Sequence, residues 1–123
     1  MPRILVIEDD PEIGQIVREI LERFGHELDV FQDAEQGLAA FELNRHDLVI
    51  TDIILPEKDG VEAIRDLKVL DPEARVIAMT GMRGSFNRLP AAEFVGATRT
   101  LLKPFSQEDL VAVVDDVLQT TLT

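Results

Sequence analysis

Two short runs of consecutive aliphatic residues constrain the fold of this chain most strongly. Residues 4–7 read ILVI, and residues 48–50 read LVI. Strands that are buried on both faces have such continuous runs, whereas half-exposed strands alternate apolar and polar residues. Strands of the first kind belong to parallel sheets that helices cover on either side. The two runs therefore predict an α/β protein.

The rest of the chain repeats this strand and helix pattern. We predict five strands, at residues 4–7, 28–31, 48–52, 75–79 and 99–102. Helices are predicted after Asp10, after Asp33, after Asp59-Gly60, near Pro90 and from Gln107. Asp and Pro are favoured at helix starts, and the first, third and last predicted helices present apolar residues at spacings of three and four. Regular alternation implies right-handed crossovers, with helices on both faces of one parallel sheet.

Length and charge narrow the classes of partner. Since 123 residues fit one domain, we expect a single domain over 1–123 with no output domain. The chain has 24 acidic and 12 basic residues, so its net charge of −12 repels nucleic acid and anionic membranes. We therefore expect neither as a partner. The chain lacks cysteine, which excludes disulfides and thiol chemistry. The N-terminus does not resemble a signal peptide, and we expect a cytoplasmic protein.

Acidic residues stand at the ends of two predicted strands. Glu8 and Asp9 follow the first run, Asp52 ends the third strand, and Thr80 and Lys103 follow the fourth and fifth strands. In a parallel sheet these ends share one edge, where open α/β sheets bind ligands. Two carboxylates about 4 Å apart repel by ~4 kcal/mol at an effective dielectric of about 20. Lys103 supplies one compensating charge, and Mg²⁺ would supply two more.

The same residues suggest a reaction. Asp52 is placed to attack phosphorus as a nucleophile and form an aspartyl phosphate. Lys103 would stabilise negative charge on the phosphoryl oxygens, and the hydroxyl of Thr80 would donate a hydrogen bond to one of them. An ionised carboxylate needs no general base, so these groups suffice for phosphoryl acceptance.

These motifs together resemble the receiver domain of response regulators in two-component signalling. The matching residues are Glu8-Asp9, Asp52, Pro56, Asp59-Gly60, Thr80 and Lys103-Pro104-Phe105. The resemblance implies a flavodoxin-like (βα)5 three-layer sandwich with strand order 2-1-3-4-5. It also implies that a histidine kinase or a histidine phosphotransfer protein transfers a phosphoryl group to Asp52. The downstream protein target would then bind the surface formed by the fourth predicted helix, the fifth strand and the fifth helix.

The resemblance also implies a set of metal ligands. Asp9 and Asp52 would bind Mg²⁺ directly, Glu8 through water, and Ile54 through its backbone carbonyl, with Mn²⁺ as a possible substitute. Family members often have a cis peptide bond before the proline at the position of Pro104, which an X-Pro bond permits at low cost.

Three positions depart from the usual receiver pattern. Thr100 stands three residues before Lys103, where receivers usually have Tyr or Phe. The usual coupling between a hydroxyl and an aromatic ring is therefore incomplete, and we hypothesise that residues 81–89 and the following helix carry the readout. Ile54 and Met82 occupy positions that tune hydrolysis in the family. Because neither side chain can orient a water molecule, we predict slow loss of the phosphoryl group.

Three alternative functions share parts of this pattern. A phosphatase of the haloacid dehalogenase class would need a second Asp at position 54, where this chain has Ile54. A flavin protein would need a phosphate-binding loop after the first strand, but residues 8–11 read EDDP and would repel phosphate. A degenerate receiver that binds partners without phosphorylation is a third alternative. We expect no catalysis beyond the domain's own phosphotransfer and dephosphorylation, and we expect His26 and His46 to be ordinary surface residues.

Overall fold

The computed structural model describes residues 2–55, 59–81 and 95–119. The strands in these ranges are β1 Arg3–Ile7, β2 Glu27–Phe31, β3 Leu48–Asp52, β4 Val76–Thr80 and β5 Arg99–Leu102. The helices are α1 Pro11–Arg23, α2 Ala34–Asn44, α3 Gly60–Leu70 and α4 Gln107–Gln119. The last of these, α4, is the helix that the sequence predicts as the fifth. The helix predicted near Pro90 lies outside the described residues.

All five strands are parallel and follow the order β2-β1-β3-β4-β5, so the predicted fold class and strand order are confirmed. The central strand is β3, which pairs with β1 on one side and with β4 on the other. The strand order places the ends of β1, β3 and β4 side by side at one edge of the sheet.

A hydrophobic layer covers each face of the sheet. On one face, Ile4 and Val6 pack with side chains of α1 and α4. On the other face, Leu5 and Ile7 pack with side chains of α2 and α3. Since successive strand residues point to opposite faces, both sets must be apolar. This explains the continuous aliphatic runs in the sequence.

Side-chain caps fix where the helices begin. Asp10, Asp33 and Asp59 each accept a hydrogen bond from a backbone N–H in the first turn of α1, α2 and α3, at 2.8 to 2.9 Å. At the start of α4, the hydroxyl of Ser106 accepts from Asp109 N at 3.0 Å, while the Asp109 carboxylate accepts from Ser106 N at 3.3 Å. This reciprocal pair is the predicted capping box. Each helix therefore starts shortly after a strand ends.

Two predictions need correction. The fourth strand runs from Val76 to Thr80 rather than over residues 75–79, because Thr80 pairs with Leu102 of β5. His46 is buried rather than a surface residue. Its Nε2 lies 2.7 Å from Asp29 Oδ2, and its ring stacks on Phe41.

The described helices include none that is long and apolar enough to cross a membrane.

Candidate functional site

Three carboxylates meet at the edge of the sheet where the strands end. Oxygen atoms of Glu8, Asp9 and Asp52 lie within 4.8 Å of one another. Glu8 and Asp9 directly follow β1, and Asp52 is the last residue of β3. Because β1 and β3 are paired in parallel, their carboxyl ends lie next to each other. The cluster predicted from the sequence is therefore present in the structure.

Lys103 joins two of these carboxylates. Its Nζ lies 2.5 Å from Asp52 Oδ2 and 2.5 Å from Glu8 Oε1. The lysine side chain is only 17% exposed, so both ion pairs are largely shielded from water. Burial by itself would lower the pKa of the Lys103 ammonium, but the hydrogen bonds to Asp52 and Glu8 outweigh it and raise that pKa. The ammonium is therefore charged at neutral pH.

Glu8 is the most buried acid of the cluster, with 1% of its surface exposed. Its second oxygen, Oε2, accepts a hydrogen bond from Asp10 N at 3.1 Å. Burial raises the pKa of the Glu8 carboxyl to about 7. The hydrogen bonds from Lys103 and Asp10 N offset this only in part, and the negative charge of Asp52 raises the pKa further. Glu8 can therefore gain or lose a proton near neutral pH.

The backbone around Asp52 is tightly held. Ile54 N donates to Asp52 Oδ1 at 2.9 Å, and Gly60 N donates to the carbonyl of Ile53 at 2.7 Å. A Cβ atom at Gly60 would lie 2.3 Å from the carbonyl oxygen of Asp52, which no side chain can satisfy. The sequence predicts only that a helix follows Asp59-Gly60. The structure shows that Gly60 also permits α3 to begin directly against the strand end that carries Asp52.

Thr80 and Lys103 close the other side of the site. Thr80 is fully buried at the end of β4, and its hydroxyl donates to the carbonyl of Gly81 at 3.4 Å. Lys103 N donates to the Thr80 carbonyl at 2.7 Å. This backbone bond joins the ends of β4 and β5. The five residues predicted at the strand ends thus occupy one edge of the sheet, where three carboxylates lie near the ammonium group of Lys103.

Three further predicted positions, Ile54, Thr100 and Pro104, lie within the described residues. The side chain of Ile54 is 48% exposed beside Asp52. Thr100 is partly buried within β5, paired with Ala78 of β4. The peptide bond between Lys103 and Pro104 is cis, as predicted. Pro56 and Met82 lie outside the described residues.

The donor set fits a small hard cation. Mg²⁺ is usually bound by one or two carboxylates together with water and phosphate oxygens rather than by a closed protein cage. Asp9 is exposed, so the cluster is open to solvent on its side, while Glu8 and Asp52 are buried behind it. A divalent ion would balance the negative charge that Lys103 leaves uncompensated.

Comparison with known proteins places this site in a family. A family model described as the response regulator receiver domain matches residues 4–115. The chemotaxis protein CheY of Halobacterium salinarum is 32% identical over 119 residues, covering 94% of this chain and 96% of that protein. The transcriptional regulatory protein RprY of Bacteroides fragilis is also 32% identical, over 95% of this chain. The match covers only 49% of RprY, so the chain spans about half of that relative's length.

Solved structures agree with this match. A response regulator receiver domain protein from Clostridium thermocellum superposes with a TM-score of 0.91 at 32% identity, covering 96% of this chain and 94% of that one. A receiver domain protein from Methanospirillum hungatei gives a TM-score of 0.90 at 30% identity. The acidic edge and its lysine thus lie in a chain that belongs to the family of response regulator receiver domains.

Proposed function

We propose that this domain accepts a phosphoryl group on Asp52 from a phosphohistidine of a histidine kinase or a histidine phosphotransfer protein. The reaction depends on Mg²⁺, and the phosphorylated form binds a protein partner with altered affinity. The observation that carries the proposal is the position of Lys103, whose ammonium lies 2.5 Å from both Asp52 and Glu8 beside the exposed carboxylate of Asp9.

The transfer requires one nucleophile and charge stabilisation. A carboxylate oxygen of Asp52 attacks phosphorus, a new P–O bond forms, and the P–N bond to the imidazole breaks. The leaving nitrogen keeps the electron pair and takes up a proton from solvent. Lys103 remains positively charged because its pKa is raised, so it can donate hydrogen bonds to the phosphoryl oxygens. The hydroxyl of Thr80 provides a further donor after leaving its contact with Gly81.

The metal would be held by this chain's own oxygen atoms. Asp9 and Asp52 would bind Mg²⁺ directly, Glu8 through water, and Ile54 through its carbonyl, and Mn²⁺ would substitute. When bound, such an ion neutralises charge on the phosphoryl oxygens. The Glu8 carboxylate then has a second positive charge near it, which favours its ionised form.

The proposed role ends with a bound phosphoryl group rather than with turnover of a substrate. The side chain of Ile54, two residues after Asp52, is apolar and is unable to orient an attacking water. We therefore expect slow hydrolysis, to which Met82 also contributes. Thr100 cannot supply the usual aromatic switch, so the readout is assigned to residues 81–89. The target binds the surface that includes β5 and α4.

Labelling with radioactive acetyl phosphate tests the proposal. We expect the wild-type chain to be labelled in the presence of Mg²⁺, and chelation of the metal to abolish labelling. Asp52→Asn removes the attacking carboxylate and should not be labelled, whereas Asp47→Asn, which removes an exposed carboxylate elsewhere, should be labelled normally. Equal labelling of the wild type and the Asp52→Asn variant would contradict the proposal.

A further inference from the structure

A groove of about 390 Å³ runs between α2 and α3 on the surface. Its apolar wall is formed by Leu38, Val69 and Leu70, and its rim carries Glu35, Glu42 and Asp66. We call this the α2–α3 groove. It lies on the sheet face that α2 and α3 cover, whereas α1 and α4 cover the opposite face.

Two aliphatic side chains on this surface take little part in the core. Val69 is 77% exposed in α3, and Leu43 is 84% exposed in α2. Leu43 is four residues after Ala39, which also lines the groove, so both lie on one face of α2. Single exposed aliphatics are ordinary, but Val69 lines the groove and Leu43 lies on the same face of α2 as the groove residue Ala39. Together they extend the apolar surface that a partner could cover.

Two acids of the rim, Glu35 and Glu42, are not explained by the stability of the domain. Glu35 and Glu42 are seven residues apart on one face of α2, and in residues 2–55, 59–81 and 95–119 neither forms an ion pair or a hydrogen bond through its carboxylate. Glu42 also stands in the last turn of α2, where the helix dipole disfavours a negative charge. The described residues that line the groove include no lysine or arginine, and the nearby guanidinium of Arg45 donates to the carbonyl of Leu70 at 2.8 Å rather than to either glutamate.

We propose that the α2–α3 groove binds an amphipathic helix of a protein partner. The partner helix would carry leucine or isoleucine at spacings of three and four, flanked by lysine and arginine. Two adjacent helices form a groove into which the apolar ridge of a third can pack, and the basic flanks would meet Glu35 and Glu42. A second copy of this chain fits poorly, because its net charge is −12.

This binding would not depend on phosphorylation. Glu42, Val69 and Leu70 lie near the carboxyl ends of α2 and α3, which return to the sheet edge opposite Asp52, whereas Glu35 lies in the first turn of α2. The inference therefore goes beyond the proposed function, and failure of one would leave the other intact. A partner held here would remain bound while the phosphorylation site and the surface around α4 act separately.

A designed peptide can test the groove. The probe is an acetylated and amidated helix of about 18 residues, with leucine on one face and lysine on both flanks. Its affinity would be measured by fluorescence anisotropy at about 0.15 M NaCl, and its contacts mapped by methyl NMR. We expect Glu42→Lys to weaken binding at least about fivefold and Val69→Ala about threefold. The NMR shifts should centre on Leu38 and Leu70.

Two controls separate the groove from general charge attraction. Glu19→Lys makes the same charge change on the exposed surface of α1, across the sheet, and should alter affinity by less than about twofold. Asp52→Asn should bind the peptide as the wild type does. Equal weakening by Glu42→Lys and Glu19→Lys, NMR shifts centred elsewhere, or no binding of the peptide would overturn the proposal. So would a dimer of the chain that Val69→Asp disperses.

Discussion

The ammonium group of Lys103 and the carboxyl group of Glu8 set the electrostatics of the site together. One positive charge is shared by Asp52 and Glu8, while Asp9 adds a further negative charge nearby. Desolvation of Glu8 is large enough that its pKa lies near 7 in spite of the ion pair. In the metal-free protein, the ion pair between Lys103 and Glu8 is therefore only partly formed at neutral pH.

This pKa makes the stability of the metal-free protein depend on pH. The Glu8 carboxyl has a pKa of 4.5 when unfolded and about 7 when folded, so the folded state holds the proton more tightly. The resulting stabilisation is fully present below pH 4.5 and is lost as the pH rises through about 7. Between pH 5 and 8, the free energy of unfolding should fall by on the order of 2 kcal/mol relative to Glu8→Gln.

Urea denaturation with a chelator present, at a series of pH values, measures this difference. Glu8→Gln retains the shape of the side chain but cannot titrate. Parallel pH profiles for the wild type and the variant would show that the Glu8 carboxyl has an ordinary pKa in the folded state.

Gly60 should not tolerate a larger residue, because its surroundings leave no room for a Cβ atom. The Cβ of Gly60→Ala would meet backbone atoms of Asp52 and Ile53, which cannot rotate away as a side chain can. We expect a loss of about 2 kcal/mol in unfolding free energy and, because Asp52 is displaced, labelling by acetyl phosphate at least about tenfold slower. Thermal denaturation and the labelling rate measure the two effects.

Gly14→Ala is the matched control. Its Cβ would lie 3.1 Å from one side-chain methyl of Val30, and alanine is favoured over glycine within a helix. A change within about 1 kcal/mol and a normal labelling rate are expected. If Gly60→Ala also changed stability by less than about 1 kcal/mol and labelled at the normal rate, the close approach of α3 to the strand end would not explain the glycine at position 60.

The contacts of some residues could be predicted from the sequence, whereas those of others could not. The caps Asp10 and Asp33 were predictable because their partners lie two or three residues away. His46 was misassigned because its partner, Asp29, belongs to the edge strand β2 and becomes a neighbour only after the sheet forms. The cluster of acids and the compensating charge of Lys103 were predictable from topology, but the altered pKa of Glu8 required actual distances.

At the scale of elements, α4 is held at both ends. Ser106 and Asp109 cap its start, and the guanidinium of Arg75 donates to the carbonyls of Val117 and Leu118 at 3.2 Å near its end. A cation at this terminus satisfies carbonyl groups and opposes the negative end of the helix dipole. Arg75 precedes β4, so these bonds also tie that strand to the helix on one sheet face.

Removing the cation at this helix end should destabilise the domain. We expect Arg75→Ala to lower the free energy of unfolding by about 1 to 2 kcal/mol through loss of both hydrogen bonds. The exposed ion pair of Arg65 with Glu62 provides the comparison, and Arg65→Ala should cost no more than about 0.5 kcal/mol. Thermal and urea denaturation would give both values, and equal losses would argue against a special role for Arg75.

Elements were easier to predict than the surfaces between them. The aliphatic runs and the Asp caps of α1 and α2 were sufficient to locate these strands and helices, because each is a local pattern. The α2–α3 groove depends on how two helices lie side by side, which spacing along either helix cannot give. Arg75 was assigned to a strand for the same reason, since its hydrogen-bond partners are more than forty residues away.

For the whole molecule, the excess of negative charge and the acidic cluster should respond differently to salt. Added monovalent salt screens repulsion across the whole surface of a chain of net charge −12. Mg²⁺ at constant ionic strength should stabilise the fold only by binding at the cluster. At tenfold excess over its dissociation constant the gain is about 1.4 kcal/mol.

Thermal denaturation with MgCl2 replacing NaCl tests this. The melting temperature should rise for the wild type and for Glu19→Gln, which removes one exposed acid elsewhere, but not for Asp9→Asn. A similar rise in all three proteins would mean that the ion acts on the surface as a whole.

The central strand β3 should be the part of the protein that is best protected from solvent exchange. All five of its residues are buried, and it is paired on both sides, so its amide hydrogens should exchange with solvent only when the whole domain unfolds. Asp52 therefore belongs to the most slowly opening part of the protein. We therefore expect the proposed acceptor to stay in place, so that any structural change after phosphorylation would occur in the segments that approach it.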